Sequence, residues 1–187
     1  ENGHIWASTI TGVSRFDGSR WDMLMDYPGP QFQGYTPAGP FIKDAESRIW
    51  VGLAYSNGPL SRCIGGMSRW ENPGWMGYSW NNLDFRGGFV RAFLVDRNGF
   101  LWAGMEGGVA RFENGKWNML YSEGEFTHVY SLLQDRSGNI WAGSTSGVYR
   151  YDGNAWKKYT EADGLARGTV PFLVEDRKGI IWALSIP

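Results

Sequence analysis

An aspartate followed six residues later by a tryptophan recurs through this chain, and that recurrence limits the available folds more than any other feature. The pairs are Asp44 with Trp50, Asp96 with Trp102, Asp135 with Trp141 and Asp176 with Trp182. Gly99, Gly138 and Gly179 stand three residues after their aspartates, whereas the second copy carries Ser47 there. Glu1-Asn2-Gly3-His4-Ile5-Trp6 aligns without a gap on Arg97-Asn98-Gly99-Phe100-Leu101-Trp102, so Trp6 joins the series. Copies of one unit must stack, because a single supersecondary unit cannot bury its apolar face alone.

The signature tryptophans are 39 to 52 positions apart, close to the ~40–50 residues of one four-stranded β-propeller blade. Eleven Trp, 9 Tyr, 10 Phe and 27 Gly suit short strands joined by tight turns. Within a period, strand A runs to the Asp, as at 90–95, 129–134 and 170–175. The Asp-x-x-Gly turn leads into strand B with its Trp, and Gly supplies the positive φ such a turn requires. Strand C carries Arg beside an aromatic residue, at Arg15, Arg69, Arg111 and Arg150. Asp17-Gly18, Asn114-Gly115 and Asp152-Gly153 then read as two-residue hairpin turns into strand D, which carries Trp21, Trp117 and Trp156.

The expected fold class is therefore all-β: four-stranded antiparallel β-propeller blades, about four of them, forming part of a larger propeller. Blade repeats are expected near 1–38, 39–88, 89–127, 128–168 and an incomplete 169–187. The chain starts inside one turn and stops inside one strand, so it reads as a piece of a longer array with any targeting signal upstream. Irregular insertions fall at 23–39, 53–65 and 76–88. In an up-and-down blade the B–C and D–A connections emerge on one face, which these insertions share.

The pattern Asp-x-x-Gly-x-[Ile/Leu]-Trp-x-Gly-[Ser/Thr], followed by Gly-[Val/Leu]-x-Arg-[Phe/Tyr]-[Asp/Glu], resembles the two-component regulator propeller repeat. Residues 135–152 match it almost throughout and 96–113 nearly as well. The resemblance implies blades of a sensor propeller in a periplasmic or extracellular region, of the kind hybrid regulators use to respond to glycans. It implies a ligand-sensing or scaffolding propeller fragment, and the residues themselves, which complete no catalytic set, are read as a non-catalytic ligand-binding or interaction module.

Residues at the same offset in every blade are expected to be structural. Asp44, Asp96, Asp135 and Asp176 are expected to cap turn N–H groups, and Trp6, Trp50, Trp102, Trp141 and Trp182 to pack between blades. Residues that occur once, in the insertions, are the candidate ligand contacts: Tyr27, Phe32, Tyr35, Tyr55, Asn57, Trp80, Asn82, Asp84 and Arg86. Their mixture of aromatic faces, amides and charges suits a sugar, whose C–H face stacks while its hydroxyls hydrogen-bond. His128 joins them at the entry to a strand A, with Glu123 and Glu125 just before it. An enzyme reading, a polysaccharide lyase or hydrolase using His128 with Glu123 or Glu125, is the alternative. A purely structural or oligomerising scaffold is the third.

No catalytic set, metal site or cofactor is expected, since the two histidines and Cys63 have no ligand spacing and no phosphate-cradling loop occurs. Eighteen basic against 19 acidic residues give a formal charge of −1 without a basic block, which argues against nucleic acid. No apolar run approaches the ~20 residues of a membrane span. Unpaired edges and inter-blade faces predict self-association or pairing with further blades. An oligosaccharide is the expected ligand.

Overall fold

A computed structural model of the protein describes residues 4–9, 12–26, 35–36, 39–55, 66–71, 74–79, 89–121 and 128–187. The first sheet joins β1 (Ile5–Thr9), β2 (Gly12–Phe16) and β3 (Trp21–Asp26) in that order. The second holds β4 (Tyr35–Thr36), β5 (Phe41–Lys43), β6 (Ile49–Tyr55), β7 (Gly66–Glu71) and β8 (Gly74–Ser79), with β4 and β5 both paired to β6. Two regular four-stranded meanders follow. One is β9 (Val90–Val95), β10 (Leu101–Met105), β11 (Gly108–Glu113) and β12 (Lys116–Tyr121). The other is β13 (Val129–Gln134), β14 (Ile140–Ser144), β15 (Gly147–Tyr151) and β16 (Trp156–Tyr159). The last sheet pairs β17 (Thr169–Glu175) with β18 (Ile181–Ile186). All pairings are antiparallel and the expected all-β blade architecture is present.

The repeated aspartate does more than cap a turn. Asp96 Oδ1 accepts from the N–H groups of Asn98 and Phe100, while Oδ2 accepts from Trp102 Nε1 at 2.8 Å. Asp44, Asp135 and Asp176 hold Trp50, Trp141 and Trp182 in the same way, at 2.7, 2.8 and 3.0 Å. One carboxylate therefore fixes both the turn and the orientation of the indole on the next strand. Ser47 takes the glycine position of the second copy at φ 65°, a left-handed conformation that strains a residue with a Cβ.

Three of the repeated indoles meet the next blade. Trp6 packs edge-on against Trp70 and Trp50 edge-on against Phe112 and Trp117, while Trp102 lies tilted against Tyr151. Trp141 instead stacks on Tyr159 of its own blade, and Trp182 is 59% exposed. The strand-C arginines lie opposite these tryptophans in register, and Arg69, Arg111 and Arg150 place their guanidinium groups over Trp50, Trp102 and Trp141. A cross-strand cation–π contact thus accounts for the paired recurrence of Trp and Arg.

The glycine of Trp-x-Gly admits the next blade. A Cβ on Gly104 would come within 2.6 Å of Val129 Cγ1, and one on Gly143 within 2.5 Å of the Val170 carbonyl. Val90, Val129 and Val170, near the start of their strands A, are buried, and strands β9, β13 and β17 run side by side. The described cores lie between blades: Trp50, Met67, Leu101 and Phe112 form one, and Trp102, Val109, Ile140 and Tyr149 the next.

Between β11 and β12, Asn114 and Gly115 both have positive φ, as a two-residue type I′ turn needs. The Asp-Gly hairpins differ from expectation. Asp17 N–H bonds the Arg20 carbonyl and Asp152 N–H the Ala155 carbonyl, which centres those turns one residue later, on Gly18-Ser19 and Gly153-Asn154. The reason is the aspartate side chain. Asp17 Oδ1 accepts from the N–H groups of Ser19 and Arg20, and Asp152 Oδ1 from Asn154 and Ala155, so glycine alone takes positive φ.

The β17–β18 sheet presents Phe172, Val174, Trp182, Leu184 and Ile186 on one face, each at least 49% exposed. Leu184 stands where the Trp-x-Gly glycine stands in other copies, opposite Phe172 in register.

Candidate functional site

In an up-and-down blade the B–C and D–A connections emerge at one end, and the described residues there include His128 and Glu106. Most of the candidates named from sequence, Tyr27, Phe32, Asn57, Trp80, Asn82, Asp84 and Arg86, lie outside the described residues, as do Glu123 and Glu125. Tyr35 and Tyr55 are backbone partners across the β4–β6 pairing. His128 is described, and its surroundings define a cluster.

His128 sits at the entry to β13 and is bridged to Glu106, in the connection between β10 and β11 of the preceding blade. Its backbone is fixed on the other side by Thr145, whose N–H donates to the His128 carbonyl at 3.1 Å and whose Oγ1 accepts from the His128 N–H at 3.2 Å. The imidazole Nδ1 lies 3.3 Å from Glu106 Oε1 without the alignment of a hydrogen bond. Arg91 Nη2 donates to the same oxygen at 2.7 Å. The Arg91 guanidinium lies 4.8 Å over Tyr130 and 5.6 Å over Phe89, and the His128 ring stacks beside Tyr130.

The Glu106 side chain is only 16% exposed, paired with Arg91 of its own blade and facing His128 of the next. The carboxylate that meets His128 among the described residues is thus Glu106, which sequence reading did not single out. Arg91, Glu106 and Tyr130 each had a signal. Counting from the repeated Asp, the Arg91 position reads Gly39, Arg91, Tyr130 and Pro171, and the Glu106 position reads Ala54, Glu106, Thr145 and Ile186. These offsets vary inside otherwise regular blades, which marks them as free of a blade-building role.

The cluster offers a guanidinium, a carboxylate, an imidazole and an aromatic face within one small area, a set that can hydrogen-bond hydroxyls and stack on a ring. Among the described residues, no three His, Cys, Asp or Glu side chains are grouped to hold a metal ion, and no helix is long and apolar enough to cross a membrane. The repeated carboxylates belong to the scaffold electrostatically as well. Burial opposes ionisation of Asp44 and Asp135, yet bonds from the tryptophan indole and the turn hold both below the ordinary carboxylate value. The Trp182 indole, then the Ile180 N–H, does the same for Asp176.

Geometry of this kind defines a set of β-propeller blades, and solved structures agree. The chain superimposes on the extracellular domain of BT3049 from B. thetaiotaomicron, described as a hybrid two component system, with TM-score 0.71 and 20% identity over 98% of this chain and 25% of that one. BT4673 from the same organism, described as a one component system, gives TM-score 0.71 and 18% identity over 99% of this chain and 25% of that one. The virginiamycin B lyase of Staphylococcus aureus gives TM-score 0.66 and 12% identity, over 100% of this chain and 61% of the lyase. The chain thus spans about a quarter of the length of the two extracellular domains. The family description "two component regulator propeller" matches residues 124–146, a stretch that holds the Asp135 turn and Trp141. No curated protein sequence matches the chain.

Proposed function

We propose that this chain is part of a non-catalytic sensing propeller that binds an oligosaccharide on its B–C and D–A face, in a periplasmic or extracellular receptor. The observation that carries the reading is the Arg91–Glu106–His128–Tyr130 cluster, which departs from the blade pattern and joins two blades at that face. The likeness to extracellular domains described as belonging to signalling systems supports the setting. Tyr27, Tyr35, Tyr55, Asn57, Trp80, Asn82, Asp84 and Arg86 extend the proposed surface by their positions in sequence. Titration calorimetry with a panel of neutral and acidic oligosaccharides tests the reading. Binding by the unaltered chain that Glu106→Gln and Tyr130→Ala weaken together is expected. A panel in which no glycan binds overturns it.

A second reading, a polysaccharide lyase or hydrolase, is favoured by the proximity of His128 Nδ1 to a carboxylate and by the propeller lyase among the structural relatives. Turnover of a glycan by the unaltered chain that His128→Ala abolishes, with binding retained, would replace the first reading by this one.

A further inference from the structure

We infer that the concave site between the β14–β15 connection and the segment from Thr160 to Gly168 is a subsite for one neutral sugar residue. This rests on the oligosaccharide reading above and deepens it. The cavity measures about 230 Å³ and is lined by Thr145, Ser146, Thr160, Glu161, Leu165 and Arg167, among others. It is smaller than the ~300–1,000 Å³ of sites that enclose drug-sized ligands, so it suits a single ring at the end of a longer chain.

Its walls are preorganised. Thr160 and Asp163 form a reciprocal capping box around the 3-10 turn of Glu161–Asp163, and Gly164 closes it at φ 90°. Leu165 N–H returns to the Thr160 carbonyl, and Ser185 Oγ donates to the Ala166 carbonyl, tying the segment to β18. Gly147 and Gly168 leave no room for a Cβ beside the Tyr159 and Ile186 carbonyls, so the backbones on both sides are packed close. A loop ordered in advance costs little further entropy on binding.

Ligand chemistry follows from the groups that face solvent. Arg167 Nε and Glu161 Oε1 are 3.9 Å apart on side chains 88% and 65% exposed. The two charges offset each other, so the site exerts no net pull on an ion. A pair of neighbouring hydroxyls can instead donate to the carboxylate and accept from the guanidinium at once. Leu165 and Ala166 supply apolar surface for the C–H face of the ring. Thr145, which lines the cavity, is also the residue that fixes the His128 backbone, so the subsite adjoins the Arg91–Glu106 cluster.

The test uses the whole chain with methyl hexosides, methyl hexuronides, free amino acids and neutral oligosaccharides. Saturation-transfer NMR reads contact and calorimetry reads affinity. Methyl hexosides are expected to bind and hexuronides and amino acids not to. Glu161→Gln and Arg167→Ala should each weaken the neutral oligosaccharide by roughly tenfold or more, the scale of a lost charge-assisted hydrogen bond. Both substitutions are on exposed side chains, and unchanged circular dichroism verifies the fold. A glycan that binds equally to both variants, yet loses affinity with Glu106→Gln, overturns the subsite and leaves the broader reading standing. Preference for hexuronides or amino acids overturns the ligand class. Absence of any glycan binding removes both.

Discussion

Replacing Asp44 by Asn isolates the acceptor role of the repeated carboxylate, because the new side chain keeps one oxygen and exchanges the other for a donor. Asp44 Oδ1 accepts from the N–H groups of Glu46 and Arg48 at 3.0 and 2.9 Å, and an amide oxygen can retain both. Oδ2 accepts from Trp50 Nε1 at 2.7 Å and Arg48 Nε at 2.6 Å, and there an NH2 group faces two donors. Trp50 has no exposed surface, so its N–H cannot turn to water and the full cost of an unmade buried bond applies, about 1–3 kcal/mol. Arg48 is a quarter exposed and also contacts Glu46, so its share is smaller. The sum is a loss of about 3 kcal/mol at pH 7. Asp176→Asn is the internal control: it breaks the same bond to Trp182, an indole 59% open to solvent, and should cost much less. Urea unfolding followed by circular dichroism measures both, and indole N–H exchange by NMR reports Trp50 locally. Because the Asp44 carboxyl is held below its ordinary 3.8, its contribution is present above that value and fades as pH falls through the lower folded-state value. The difference between Asp44→Asn and the unaltered chain should therefore shrink in acid. Equal losses for Asp44→Asn and Asp176→Asn, or a difference that grows below pH 4, would refute the reasoning.

Other outcomes follow from the same blades. Ser47→Gly removes a side chain from a left-handed turn position and should stabilise the chain by about 1 kcal/mol, read as a higher urea midpoint. Gly143→Ala should destabilise by about 2–3 kcal/mol, since the added methyl meets the Val170 carbonyl of the adjoining strand, and a neutral result would rule out that close approach. At tens of micromolar protein, as an order of magnitude for weak contacts, the chain should self-associate through the Phe172–Trp182–Leu184 face. Light scattering should show Leu184→Glu reducing the associated fraction, and a monomer that the substitution leaves unchanged would exclude that face.

The fold was legible because its determinants repeat. An Asp at constant offset from a Trp, with Gly between, has one local solution, and nearly constant spacing stacks the copies. The second ligand of the Asp was not legible: a capping aspartate reads the same whether or not its other oxygen holds an indole six residues on. Arg97 and Arg136 are illegible for a related reason, as Asp-Arg recurs at three turns but looks like ordinary surface charge. The Arg91–Glu106–His128 cluster joins two blades through residues 15 to 37 positions apart, and such pairings follow from stacking geometry rather than from local pattern. The cavity beside Thr160–Gly168 leaves no mark in the sequence, because its loop is short and its walls are set by a turn and by contacts with β18.

Arg97 and Arg136 carry one further meaning. Arg97 donates to the Asp135 and Arg136 carbonyls and to Gln134, and Arg136 donates to the Asp176 and Arg177 carbonyls. Every one of these bonds runs from an earlier blade to a later one. Each of these arginines therefore ties the turn of its own blade to the turn of the next, and losing one removes a whole set of bonds at a single seam.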